Sequence, residues 1–266
     1  MYTTNFLIIA QPEYPFPPIC PNDTTYTPNS LYERNLDAAL ASLPSTNTGK
    51  GFFNASVGQG TDAAYTICLC RGDVVLNMCQ SCLREAIFRL RIKCPNQSEA
   101  VIYYEYCLLK YSNAPILGNN DTTSDFYNIN NNVNFPNKEQ FNGLLQPFMT
   151  KLRREAAAGG SLLKFAMENT PGPSDTTLYG LTQCVPSLSE QECDECLEYA
   201  NNQFASCCDG RVGVIVLMAR CNLRYEIYDF GIISAIAPPP SQPSPPARIP
   251  SPPPGTYVVN PKRVTS

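Results

Sequence analysis

The chain has 266 residues, 25 of them proline and 13 cysteine, with no histidine, no tryptophan and a formal net charge of −4. That length accommodates two domains, each able to bury a core, and the weak negative charge argues against nucleic acid as a partner. Without histidine there is no Ser-His-Asp triad, no Cys-His nucleophile and no His-containing zinc site. The expectation is a protein with no catalytic residue, no metal and no cofactor.

At the N-terminus, residues 6–10 (FLIIA) are apolar but too short for the core of a signal peptide. Residues 1–11 therefore read as a signal-peptide remnant or an unstructured arm. A helix is expected over 31–43, where Leu31, Tyr32, Leu36, Ala39, Leu40 and Leu43 form a stripe. Ser30 and Glu33 supply a capping box at its start, and Pro44 helps end it. Residues 52–57 and 63–70 read as strands, 75–91 as a second helix, and 101–111 as one strongly β-prone strand.

The polar stretch at 112–125 (SNAPILGNNDTTSD) separates a first domain, 12–118, from a second, 126–232, with 119–125 as the linker. In the second, Phe141, Leu144, Leu145, Phe148, Met149 and Leu152 mark a helix that stops at Gly159-Gly160. Strands are expected at 162–167 and 176–184. Ser189 and Glu192 cap a further helix, whose acidic run at 190–198 reads as a solvated face. Strands at 212–219 and 223–228 close the sheet. The fold class is α+β: two tandem domains, each an antiparallel β-sheet covered by two α-helices. Ten prolines between Pro238 and Pro254 make 233–266 an extended stalk or tail without a core. No apolar run approaches the roughly 18 to 20 residues that span a bilayer.

The cysteines carry the strongest pattern. Cys70-x8-Cys79-x2-Cys82-x11-Cys94-x12-Cys107 recurs as Cys184-x8-Cys193-x2-Cys196-x11-Cys208-x12-Cys221, every pair 114 positions apart. Tyr65 and Tyr179, Leu83 and Leu197, Leu109 and Leu223, and Tyr111 and Tyr225 keep the same offset, so the protein is a tandem duplication. Cysteines this dense, together with the sequons at Asn22, Asn54, Asn96 and Asn120, point to a secreted or cell-surface setting and to glycosylation. A disulfide framework, a four-thiolate metal site and a redox pair all compete for each C-x2-C. Compartment and count favour disulfides, and the spacing leaves their connectivity open.

The strings LCRGDV (69–74), CLLKYSN (107–113), YGLTQC (179–184) and CNLRYE (221–226), on that cysteine spacing, resemble tandem ginkbilobin-2-homologous domains over residues 12–232. These plant modules occur in cysteine-rich receptor-like kinases, plasmodesmata-located proteins and cysteine-rich repeat secretory proteins. The resemblance implies bridges Cys20–Cys94, Cys70–Cys79, Cys82–Cys107, Cys184–Cys193 and Cys196–Cys221. The second copy lacks a counterpart of Cys20, which leaves the pairing of Cys207 and Cys208 open, because a bridge between neighbours is geometrically awkward. Thirteen is odd, and Cys68, standing where the second copy has Thr182, is the candidate for the free thiol.

The founding lectin of that family binds mannose through an Asn after its first cysteine and an Arg and a Glu on late strands. At those positions this chain has Pro21, Val101 and Ser112 in one copy, and Ile215 and Glu226 in the other. Glu226 alone is retained as a candidate carbohydrate contact, set against a plain strand-pairing role. The resemblance thus implies a non-enzymatic extracellular recognition module, like a receptor-like kinase ectodomain in stress or defence signalling. The alternative is a secreted antifungal or carbohydrate-binding defence protein. The expected location is the apoplast, or the plasma-membrane surface if a longer form exists. Expected partners are an unidentified extracellular ligand or co-receptor, with carbohydrate a candidate. Arg71-Gly72-Asp73 reads as a turn.

Overall fold

The computed structural model describes residues 16–21, 23–46, 50–117, 127–130 and 133–232. The arm at 1–11, the linker at 119–125, the proline-rich tail at 233–266 and the sequons at Asn22 and Asn120 lie outside the described residues. Helix α1 (Leu31–Ser42) starts where Ser30 Oγ accepts a hydrogen bond from the Glu33 amide at 3.2 Å. It buries Tyr32, Leu36, Ala39 and Leu40 of the stripe that the spacing marks, whereas Leu31 in its first turn is exposed. Strands β1 (Phe52–Val57) and β2 (Ala64–Cys70), helix α2 (Leu76–Lys93), and strands β3 (Ala100–Tyr103) and β4 (Cys107–Ser112) complete the first repeat.

The second repeat opens with β5 (Tyr127–Asn130), which the periodicity does not reveal, followed by helix α3 (Lys138–Ala157). Strands β6 (Lys164–Pro171) and β7 (Thr177–Cys184) lead to helix α4 (Glu190–Cys207), and β8 (Val214–Leu217) and β9 (Cys221–Glu226) close the unit. At the start of α4 the Ser189–Glu192 pair is reciprocal. Ser189 Oγ accepts from the Glu192 amide at 3.2 Å, and a Glu192 carboxylate oxygen accepts from the Ser189 amide at 2.8 Å.

The run at 101–111 is not one strand. It folds back at Tyr104–Glu105–Tyr106 into an antiparallel hairpin, where the Tyr104 amide donates to the Cys107 carbonyl at 2.8 Å. Two tyrosines at the bend keep the composition β-like, so no Gly, Pro or Asn betrays it. Strand β6 also extends to Pro171, past the expected end at 167.

All pairings are antiparallel, in the orders β1-β2-β4-β3 and β5-β8-β9-β7-β6. Residues of alternate parity point to opposite faces of each sheet. On one face of the first sheet, Phe53, Cys68, Leu109 and Ile102 pack under Leu36, Leu40, Leu83 and Leu90 of α1 and α2. The other face, with Phe52, Ile67, Leu69, Tyr103 and Leu108, joins the core of the second repeat. The result is four layers: helices, sheet, sheet, helices.

The disulfides explain the cysteine spacing. Cys70 and Cys107 lie side by side in register on β2 and β4, and bridge to Cys79 and Cys82 on the overlying α2. Cys184 and Cys221 are likewise in register, and bridge to Cys193 and Cys196 on α4. Residues three apart on a helix stand roughly 5–6 Å apart, close to the spacing of neighbouring strands, so one helical turn is stapled across two strands.

Cys94, the C-cap of α2, ties down the N-terminal segment through Cys20. Its counterpart Cys208 instead bridges its neighbour Cys207 across an ordinary trans peptide, with Cα atoms 3.7 Å apart. There, backbone hydrogen bonds hold the entry strand: the Phe135 amide donates to the Gly210 carbonyl at 2.8 Å and the Val212 amide to the Val133 carbonyl at 3.1 Å. Cys68 is the remaining thiol. It is fully buried, and burial pushes its pKa far above the ordinary thiol range.

Loop closure predicts unequal value for two of these bridges. The Cys20–Cys94 bridge spans 74 positions and the Cys207–Cys208 bridge one. In urea titrations, Cys20→Ser/Cys94→Ser should lose about 3–5 kcal/mol, and Cys207→Ser/Cys208→Ser under about 1 kcal/mol.

Candidate functional site

The polar side chains that the strands turn inward gather where the two sheets meet. Arg71 follows the last residue of β2, and the turn closes when the Val74 amide donates to the Arg71 carbonyl at 2.9 Å. Its guanidinium grips Asp73 bidentately, Nε to Oδ1 at 2.6 Å and Nη2 to Oδ2 at 2.9 Å. Nη1 donates to Glu105 Oε1 at 2.5 Å, and Nη2 also reaches the Phe230 carbonyl at 3.0 Å. Arg71-Gly72-Asp73 is a turn, as its composition indicates, but one folded inward: the Arg71 and Asp73 side chains are only 9% and 2% exposed.

Arg224 on β9 approaches from the second repeat. Its Nη1 donates to the same Glu105 Oε1 at 2.8 Å, Nε to Glu226 at 3.2 Å, and Nη2 to the Tyr228 hydroxyl at 2.9 Å. The guanidinium stacks 4.2 Å from the centre of the Phe230 ring. Glu105, on the hairpin bend, thus sits between two guanidinium groups contributed by different repeats. Further along, Gln183 Nε2 donates to the Cys70 carbonyl at 2.9 Å, and the Ile232 amide donates to Asp73 Oδ2 at 3.0 Å. Gly72 lies so close to the Phe165 ring that a Cβ there would collide with it.

Arg71, Glu105 and Arg224 of this network line a cavity of about 50 Å³ together with the apolar Leu69, Leu108 and Leu181. A water takes about 30 Å³ of liquid, and pockets that hold small molecules run from about 300 Å³. The seam is a narrow cleft, partly open to solvent beside Glu105, whose interior has room for a water or two. Each guanidinium is paired with two carboxylates. Among the described residues no group of three or more Cys, Asp or Glu could hold a metal ion.

Glu226 is 5% exposed and turned to Arg224. Burial raises its pKa, which the neighbouring Arg224 only partly offsets. The other family positions fare no better as sugar contacts. Val101 and Ser112 are buried in the first sheet, and Ile215 faces the seam. Of the sequons within the described residues, Asn54 is exposed on β1, and Asn96 is exposed at a turn with φ of 60°. Glu105 and Gln183 are seam residues that the sequence reading passes over. The available signal is the duplication itself: Gln183 stands 114 positions after Leu69, a polar residue where the first copy has an apolar one.

Comparisons with known proteins agree with this architecture. The family profile described as Stress-antifung, salt stress response/antifungal, matches residues 19–114 and again 128–228. Cysteine-rich receptor-like protein kinase 7 of Arabidopsis thaliana is 40% identical over 236 residues, covering 87% of this chain and 35% of the kinase. The antimicrobial ginkbilobin-2-like protein of Castanea crenata is 37% identical over 221 residues, covering 83% of this chain and 89% of that protein. The chain spans about a third of the length of the receptor-like kinases it matches. The crystal structure of the tandem DUF26 ectodomain of the Arabidopsis thaliana cysteine-rich receptor-like protein PDLP8 superposes with a TM-score of 0.69. It covers 80% of this chain and 97% of that one at 24% identity, which shows the fold.

Two outcomes test the seam. Glu105→Gln removes the carboxylate that both guanidinium groups share; because Glu105 is part-exposed, equilibrium unfolding should register a loss of about 1–3 kcal/mol. For Glu226 the folded-state pKa is raised, so its contribution is fully present below the unfolded value of about 4.3 and lost as pH rises through the folded one. Glu226→Gln should therefore equal or exceed the parent in stability at neutral pH, its advantage vanishing near pH 4. A loss at neutral pH would mean that the Arg224 pair outweighs the cost of burial.

Proposed function

Because the chain belongs to the salt stress response/antifungal family, we propose that it is the extracellular recognition part of a cysteine-rich receptor-like protein, acting in stress or defence signalling without catalysis of its own. The observation that carries this reading is the duplicated, sulfur-stapled scaffold. Six disulfides join twelve of its thirteen cysteines. Such a framework suits an oxidising compartment and not the cytosol. The kinases that the chain matches along most of its length support the same reading.

In this reading the seam is structural. It fixes the two repeats as one body, so recognition belongs to the outer faces: the helices, the sheet edges and the loops between them. The ligand is an extracellular molecule or a co-receptor ectodomain, met on a surface and not in a cavity. A secreted antimicrobial role is the second reading, favoured by the near-complete coverage of the ginkbilobin-2-like protein.

An ectodomain exchange separates the two. Residues 16–232 placed before the membrane span and kinase of a related receptor should restore its signalling output in a plant lacking that receptor. The purified chain should leave hyphal growth unchanged. No rescue, coupled with arrested hyphae, would favour the antimicrobial role.

A further inference from the structure

The duplication places α2 and α4 at equivalent positions, on opposite outer faces of the four layers, yet their charges are reversed. Helix α2 carries Arg84, Arg89, Arg91 and Lys93 against the single acid Glu85. Helix α4 carries Glu190, Glu192, Asp194, Glu195 and Glu198 and no basic residue. Some of this charge is spent locally. Arg91 pairs with Glu33 and Asp37 of α1, Arg89 with Glu85 one turn earlier on α2, and Arg153 of α3 with Asp194 and Glu198. Arg84, Arg89 and Lys93 on α2, and Glu190 and Glu195 on α4, remain exposed.

Between its basic residues α2 exposes two large apolar side chains one turn apart, Phe88 at 57% and Ile92 at 55%. A solvated helix has no need of either there. Helix α4 exposes Tyr199 at 46%, one turn beyond Glu195. The basic residues sit in the second half of α2 and the acidic ones in the first half of α4. Two such helices laid antiparallel bring the opposite charges together, with the apolar side chains between them.

We propose that this chain associates head to tail, the basic and apolar face of α2 on one copy docking on the acidic face of α4 on another. The two faces belong to opposite sides of the molecule and differ from each other. The contact is therefore heterologous, and it builds rings or open chains of copies in place of a two-fold symmetric dimer. The proposal goes beyond the recognition role and does not depend on the ligand.

Sedimentation velocity over a concentration series of the intact chain tests it. The expected result is association in about 0.02 M salt that weakens at least about tenfold in about 0.5 M salt, where exposed charges are screened beyond a few ångströms. Arg84→Glu/Arg89→Glu takes α2 from a net charge of +3 to −1, and Glu190→Lys/Glu195→Lys takes α4 from −5 to −1, so each variant loses the charge match and alone should remain monomeric. An equimolar mixture of the two should associate again. Phe88→Ser, an exposed change that leaves the core intact, should weaken association without moving the melting temperature, and stands in if a charge-swapped variant fails to fold. A parent chain that stays monomeric at both salts, or association that survives the swaps unchanged, would overturn the proposal.

Discussion

One geometric coincidence organises each repeat: a turn of helix and the gap between two hydrogen-bonded strands are nearly the same length. Cysteines three apart on α2 or α4 can therefore bond to cysteines facing each other on adjacent strands. Two covalent bonds per repeat fix the height, direction and rotation of the helix over the sheet at once. Hydrophobic packing alone would leave the helix some freedom to roll or slide in a domain of about a hundred residues, where net stability is only of order 5–15 kcal/mol. With the position fixed, Leu83, Ala86 and Leu90 need only fill the space beneath. The exposed side of the same helix is then free to vary in charge without moving the fold.

The other face of each sheet carries the opposite constraint. It cannot vary freely, because it is buried against its sister. Apolar side chains make up most of the contact, and the Arg71–Glu105–Arg224 bridge seals its rim. Breaking one member of such a bridge costs more than the intact bridge contributes, since it leaves a half-buried charge uncompensated. The seam thus specifies alignment more than it adds stability. It also commits both arginines and Glu226, the most chemically suggestive side chains, to contacts within the joint.

Most of the fold was legible because the duplication reads itself twice. Helices α1, α3 and α4 were marked by stripes or caps, and the stapling of helix to sheet was implied by the family resemblance while the cysteine spacing left it open. The hairpin at Tyr104–Tyr106 escaped because its bend has the composition of a strand. Aligned with the second copy, where 212–219 and 223–228 are separate segments, the break could have been inferred. Strand β5 was hidden for another reason: it pairs with β8 at the sheet edge, and edge pairing leaves little periodicity to read. The seam was the least legible part. Arg71 and Asp73 look like an ordinary exposed turn in sequence, yet they are bound by backbone groups more than 150 positions away. Long-range contacts of that kind write no local pattern.

The face-to-face union of the sheets also bears on how the chain can be cut. An isolated repeat would bare Ile67, Leu69 and Leu108, or Leu181, Ile215 and Leu217, to water, a contiguous oily plane that invites aggregation or self-pairing. Carried on one polypeptide, each plane meets its mate at an effective concentration in the millimolar range, whatever the dilution outside. Tethering thereby turns a dilution-sensitive encounter into a permanent one.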